Sequence, residues 1–130
     1  MEHLAATEQH WEPAPDDLFT GRVWFGAMAP PARPEALNVL GVWFEPGART
    51  SWHRHVDGQV LHVVSGAGVV ANEAGERVHM SAGDTVVTPA GEVHWHGAGP
   101  HGHMVHLSIT TGGPTEWLGR PVTDAEYADP

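Results

Sequence analysis

His53-Arg54-His55-Val56-Asp57-Gly58-Gln59-Val60-Leu61-His62-Val63-Val64 is the stretch on which the reading of this chain turns. In an extended strand, residues two apart point to the same side, so His53 and His55 share one face while Arg54 takes the other. Val56-Asp57-Gly58 then lets the chain turn, and Gln59 opens a second strand beside the first. Two imidazoles and an amide oxygen are thereby brought to one place. Downstream, Pro89-Ala90-Gly91-Glu92-Val93-His94-Trp95-His96 gives a second same-face pair after a glycine-containing turn, and His94 could supply a fourth donor. Burying so many imidazoles for packing alone would require a hydrogen-bond partner for each ring, at about 1–3 kcal/mol for each group left unpaired. Ligation of a metal answers that cost more simply.

The rest of the chain has the texture of an all-β domain. Sixteen glycines and eleven prolines among 130 residues punctuate short apolar segments, and long helical periodicities are missing. Strands are predicted near 21–27, 37–45, 50–55, 59–65, 67–72, 76–80, 85–88, 93–97 and 102–110. Pro46-Gly47 fits a type II turn, with glycine where φ must be positive. Many short strands with glycine-rich corners suggest a sandwich, a jelly roll or a barrel. Residues 1–17 read as an extended N-terminal arm and residues 18–130 as a single barrel domain. Thr123 followed three residues later by Glu126 is a capping-box pattern, which predicts a short C-terminal helix.

Composition narrows the function. The formal charge is -10, with six basic residues against sixteen acidic ones, so a phosphate backbone would be repelled and nucleic-acid binding is not expected. With no cysteine, any metal must be held by imidazole, carboxylate or amide groups. The amino-terminal residues lack a signal-peptide pattern and no run is long and apolar enough for a membrane span, so a cytoplasmic, membrane-free protein is expected.

The combined spacing resembles the cupins. Gly47, five residues, His53-x-His55, three residues, Gln59, six residues and Gly66 are similar to the first cupin motif, with Gln in place of the usual Glu. Gly83, five residues, Pro89-x-Gly91, two residues and His94 are similar to the second motif, with Ala98 where an Asn is usual. A narrower similarity covers most of the chain, including Phe19-Thr20-Gly21, Phe44-Glu45-Pro46-Gly47-Ala48-Arg49-Thr50, Gly91-Glu92-Val93-His94-Trp95-His96-Gly97-Ala98 and Met104-Val105-His106-Leu107. These segments resemble small bacterial cupins that include manganese-dependent hydroxynitrile lyases. The resemblance implies a double-stranded β-helix, or jelly-roll barrel. It also implies one divalent metal on His53, His55, Gln59 and His94.

A neutral ligand set leaves the +2 charge of such an ion uncompensated by the protein, and octahedral preference would leave positions open for an exogenous anion. Mixed nitrogen and oxygen ligation suits manganese, iron, nickel, cobalt or zinc, and the resemblance tilts the choice to Mn2+. His96, on the face of His94, is a candidate general acid or base or else a hydrogen-bonding support, and His106 has the same two roles open. Ser108 and Thr110 share its even-numbered face. The resemblance further suggests that Leu40, Val42 and Thr110 line a substrate pocket, although Trp43 and Phe44 could equally face in. Trp43, Trp52 and Trp95 read as outer packing or a subunit interface, His62 as facing away from Gln59, His79, His101 and His103 as solvated, and Arg49 as a structural ion-pair residue. The expected function is a metal-dependent lyase acting on a small α-hydroxynitrile or related hydroxy or carbonyl compound. The alternatives are an iron-dependent dioxygenase and a non-catalytic binding module whose metal only braces the barrel. The partner expected is a small-molecule substrate, in a homodimer or higher homo-oligomer.

Overall fold

The computed structural model describes residues 1–28, 37–111 and 113–129. Twelve strands follow in the order β1 (Trp11–Pro13), β2 (Phe19–Thr20), β3 (Val23–Ala27), β4 (Asn38–Phe44), β5 (Arg49–Thr50), β6 (His53–Arg54), β7 (Gln59–Asn72), β8 (Arg77–Ser81), β9 (Thr85–Thr88), β10 (His94–Ala98), β11 (Met104–Thr110) and β12 (Glu116–Trp117). Among the described residues a single 3-10 turn, at Ala6–Glu8, precedes them and one short helix, α1 (Asp124–Ala128), follows them. All pairing among the described residues is antiparallel, and the strands curl into a jelly roll, one of the three all-β forms that the turn pattern leaves open and the one that the cupin resemblance implies. Among the described residues, no helix is long and apolar enough to cross a membrane.

Strand β7 ties the two halves together. Its first part pairs with β11 and β9, and its second part with β10 and β8. The spacing of turn residues predicts two strands here, at 59–65 and 67–72. The structure shows one long strand, bent at Gly66, whose φ is 75°. A side chain at Gly66 would be strained by the positive φ and would meet the His103 carbonyl. The opposing strand shifts register at Val105/His106, as a bulge at the same corner. The 50–55 strand is instead broken, because Trp52 leaves the ladder to exchange backbone hydrogen bonds with the C-terminal segment, its N–H donating to Arg120 O at 3.0 Å and its carbonyl accepting from Leu118 N at 3.2 Å. At the Pro46-Gly47 turn, Ala48 N donates to Glu45 O at 2.9 Å and Gly47 has φ 79°, as a type II turn requires.

Alternation along the strands produces two apolar clusters. The inner one contains Val23, Val42, Phe44, Leu61, Val63, Val70, Met80, Ala98 and Met104, with Ala14 joining from the N-terminal residues. The second lies under the C-terminal segment and contains Trp52, Val69, Trp95 and Val122, with Tyr127 packed against it. Within residues 1–17, β1 pairs with β3, and the Trp11 ring lies over Gly26 and Gly41, where a Cβ would collide with it. Thr123 and Glu126 form both hydrogen bonds of the capping box at the start of α1.

Candidate metal centre

Cross-strand partners share a face of the sheet, so register decides which side chains meet. His94 on β10 stands opposite His53 on β6, and their rings lie 4.4 Å apart between centroids. His55, one residue past β6, brings its ring to 5.3 Å from that of His53 and 6.0 Å from that of His94. Its carbonyl is fixed by Gly91 N at 2.9 Å and Gly58 N at 3.2 Å. Gln59, the first residue of β7, is buried beside them. The four side chains singled out by spacing therefore converge. Near them, on the inward faces of β10 and β11, His96 and His106 are also buried.

Hydrogen bonds orient the rings. His53 Nδ1 lies 2.9 Å from Ser51 O, and His94 Nδ1 lies 2.9 Å from Glu92 O. A carbonyl oxygen only accepts, so each Nδ1 carries the proton and each Nε2 presents a lone pair. Gln59 Nε2 donates to Ser108 Oγ at 2.7 Å, which leaves Gln59 Oε1 2.9 Å from His94 Nε2. Two acceptors thus face each other at hydrogen-bond distance. Either a proton or a cation between them removes the repulsion. Burial works against the proton, pushing the pKa of His94 down even though its bond to Glu92 and the Glu92 charge pull it up. His55 Nε2 is buried and has no partner. These are the properties of a neutral N/O donor set fitted to a divalent cation.

His96 and His106 form a second unit. His106 Nε2 lies 3.0 Å from His96 Nδ1, so the pair shares one proton, while His96 Nε2 and His106 Nδ1 are buried without partners. Desolvation holds His96 well below the ordinary histidine range, helped by repulsion from His106, and takes His106 down to about 4. His53 is likewise held well below it, and His55 falls to about 4, in both cases chiefly by burial and then by the neighbouring His94. The cluster is therefore neutral at pH 7. His96 lies closer to the ligand group than its sequence role suggested: one ring nitrogen each from His53, His94 and His96 fall within 4.8 Å of one another.

The remaining sequence candidates sort by face. Val42 stands opposite His106, Leu40 opposite Ser108 and Asn38 opposite Thr110. Leu40 and Val42 thus share the inward face with His106 and Ser108. Phe44 also faces in, fully buried, whereas Trp43 is exposed on the other side. His62 points outward to Thr85 Oγ1 at 2.9 Å. His79 and His101 are exposed, while His103 is half-buried and bonds Ser65 Oγ at 3.0 Å. Arg49 is the structural residue expected, with Nη2 2.7 Å from Asp124 Oδ1 and 2.8 Å from Val122 O. Trp52 and Trp95 are buried beneath the C-terminal segment. Sequence reading missed Trp117, whose ring centroid lies 4.8 Å from that of His53. A lone Trp in a segment of glycine and proline was its only signal.

Comparison with known proteins agrees with this fold. Among curated proteins, an (R)-mandelonitrile lyase of Granulicella tundricola is 40% identical over 116 residues, which is 87% of this chain and 88% of that protein. A gentisate 1,2-dioxygenase of a Ralstonia species is 36% identical over 64 residues, 49% of this chain but 18% of that protein. The crystal structure of a cupin-like protein from Thermotoga maritima superimposes with a TM-score of 0.83 at 40% identity, covering 88% of this chain and 89% of that one. The cupin domain family model matches residues 42–110, a segment that runs from the inward Val42 through every candidate ligand to Thr110, and the chain belongs to the cupin family.

Proposed function

We propose that this cupin is a metal-dependent lyase that cleaves a small α-hydroxynitrile, or a related hydroxy or carbonyl compound, and makes it in reverse. The observation that carries the reading is the neutral donor set around facing acceptors His94 Nε2 and Gln59 Oε1, in a chain 40% identical to a mandelonitrile lyase over 87% of its length. His53, His55, Gln59 and His94 would hold one divalent ion, Mn2+ first and Fe2+, Ni2+, Co2+ or Zn2+ as alternatives. When bound, the ion supplies Lewis acidity toward the substrate oxygen.

The protein's own groups handle the proton. With its pKa depressed by burial, His96 is a neutral acceptor at pH 7. It takes the hydroxyl proton as the carbon–carbon bond breaks, and His106, 3.0 Å away, holds its ring in place and shares the charge. The proton then passes to the departing cyanide, so aldehyde and hydrogen cyanide leave and the pair returns to its starting state. Leu40, Val42 and Thr110 would line the substrate pocket. The test is release of benzaldehyde and cyanide from mandelonitrile by manganese-loaded protein, repeated after chelation. Loss of both products on chelation is the expected result, and unchanged turnover would overturn the reading.

The partial match to a gentisate dioxygenase favours a second reading, an iron(II) oxygenase. Oxygen uptake by iron-loaded protein with gentisate separates the two. Association into a homodimer or higher oligomer is part of the same proposal. Val39, Ile109, Val60 and Val87 form an unbroken apolar row across the outer faces of β4, β11, β7 and β9, and Val87 is 66% exposed. A sedimentation mass of one chain would contradict it.

A further inference from the structure

The aromatic side chains around the histidines differ in how much surface they keep. Phe44 is fully buried and packs on His96 and His106, with centroid distances of 5.8 and 5.4 Å. Phe19, Phe25 and Trp117 touch the same neighbourhood but remain only half-buried. Trp95 shows what a purely structural indole looks like in this fold, at 1% exposure.

Trp117 reaches the site through strand register. β12 lies antiparallel to β6, with Glu116 opposite Arg54 and Trp117 opposite His53. The ion pair of Glu116 and Arg54, 2.6 Å long, takes the outer face, so the indole takes the inner one. Its ring meets that of His53 at 38° and lies 5.7 Å from that of Phe19, which stands 5.4 Å from Phe25. Phe25 is opposite Val42, and Val42 is opposite His106. A band of rings thus runs from a candidate ligand to the side of the barrel that carries the proton-sharing pair.

The chain fixes this indole from both sides. Upstream neighbours hold it through the β6 ladder, and downstream Leu118 and Arg120 bond the backbone of Trp52. Beyond them, Val122 O accepts from Arg49 at 2.8 and 3.2 Å, and Tyr127 Oη donates to Ala98 O at 2.6 Å. A flat, amphipathic ring held rigidly beside a ligand residue, with part of its surface accessible, is the form aromatic-recognition walls take.

We propose that Trp117 is a specificity-determining residue: with Phe19 it forms the wall against which the ring of an aryl-bearing, oxygen-ligating small molecule packs. The chain therefore discriminates aromatic from short aliphatic substrates through this indole. The inference rests on the metal-site part of the proposed function but not on its cyanohydrin chemistry.

The test measures equilibrium binding of benzoate and acetate, which share a carboxylate and differ by a ring, to manganese-loaded wild type, Trp117→Ala, Trp117→Leu and Trp117→Phe. In wild type, benzoate should bind about tenfold more tightly than acetate, the scale of a well-packed aromatic contact. Trp117→Ala should cut that ratio by about three- to tenfold with acetate affinity unchanged, and Trp117→Phe should keep most of it. Equal loss of both anions, an unchanged ratio, or a wild type that binds the two alike overturns the inference. If the alanine variant does not fold, Trp117→Leu keeps the bulk without the flat ring, and a wild-type ratio there is equally fatal. Absence of cyanide release alongside the expected ratios would instead remove the lyase reading alone.

Discussion

Two clusters of polar side chains, one part-buried and one fully buried, sit in this small barrel, and they are built on different rules. Beneath the C-terminal segment, Arg49 gives Nε and Nη2 to Val122 O, pairs with Asp124 and lies 4.6 Å over the Tyr127 ring. Arg77 donates to Tyr127 O and Glu126 O and lies over Trp95, and only its Nε lacks a partner. Charge is kept there and answered by carbonyls, carboxylates and ring faces. Inside the barrel the histidines are uncharged, three of their ring nitrogens have no partner, and two acceptors confront each other. Buried polar groups are normally satisfied. The first cluster comes closer to that rule, with only Arg77 Nε and Trp52 Nε1 unpartnered, because its task is cohesion; the second breaks it because its missing partner comes from outside.

Removing that outside partner should give the largest effect. Chelation, or His53→Ala together with His94→Ala, should lower cyanide release about a thousandfold or more and abolish metal-dependent stabilisation, read as loss of the rise in Tm on adding Mn2+. His106→Gln comes next, lowering turnover by about a hundredfold or more with metal content retained. Retained turnover would return His106 to a packing role. Arg49→Ala should do the reverse: metal stoichiometry stays, while unfolding in urea shows a loss of about 1–3 kcal/mol from the stranded Val122 carbonyl.

Acidification acts mainly on the histidine cluster. In metal-free protein the folded pKa of His55 and His106 is about 4, against an ordinary 6.5. The unfolded chain therefore binds more protons between these values, and stability falls as pH drops from about 6.5 to about 4. His106→Gln should flatten that slope, and Arg49→Ala should leave it unchanged. The smallest effect belongs to Asp124→Asn, within about 1 kcal/mol, because the Asp124 carboxylate is 98% exposed and its ion pair is screened.

The same contrast explains what could be read in the chain before its fold. His53, His55, Gln59 and His94 were legible because strand alternation and two turns fix their faces locally. So was the helix at Asp124, whose capping box lies within four residues. Trp117 was not, because its place beside His53 depends on a pairing between segments more than sixty residues apart. Trp52 was read as part of a strand because nothing local shows that Leu118 and Arg120 would take its backbone hydrogen bonds. The union of 59–65 and 67–72 into one strand was hidden by Gly66, which reads as a turn residue and acts as a bend. Proximity of His96 to the ligand group likewise emerges only when β10 and β6 come together.

The central claim is that His53, His55, Gln59 and His94 form a site for one divalent cation. Elemental analysis of purified wild type beside the His53→Ala/His94→Ala variant tests it most directly. About one divalent ion per wild-type chain, directly or after reloading, and none in the variant is the expected result. A wild-type protein that is metal-free and resists reloading, or a variant that keeps its ion, would contradict it.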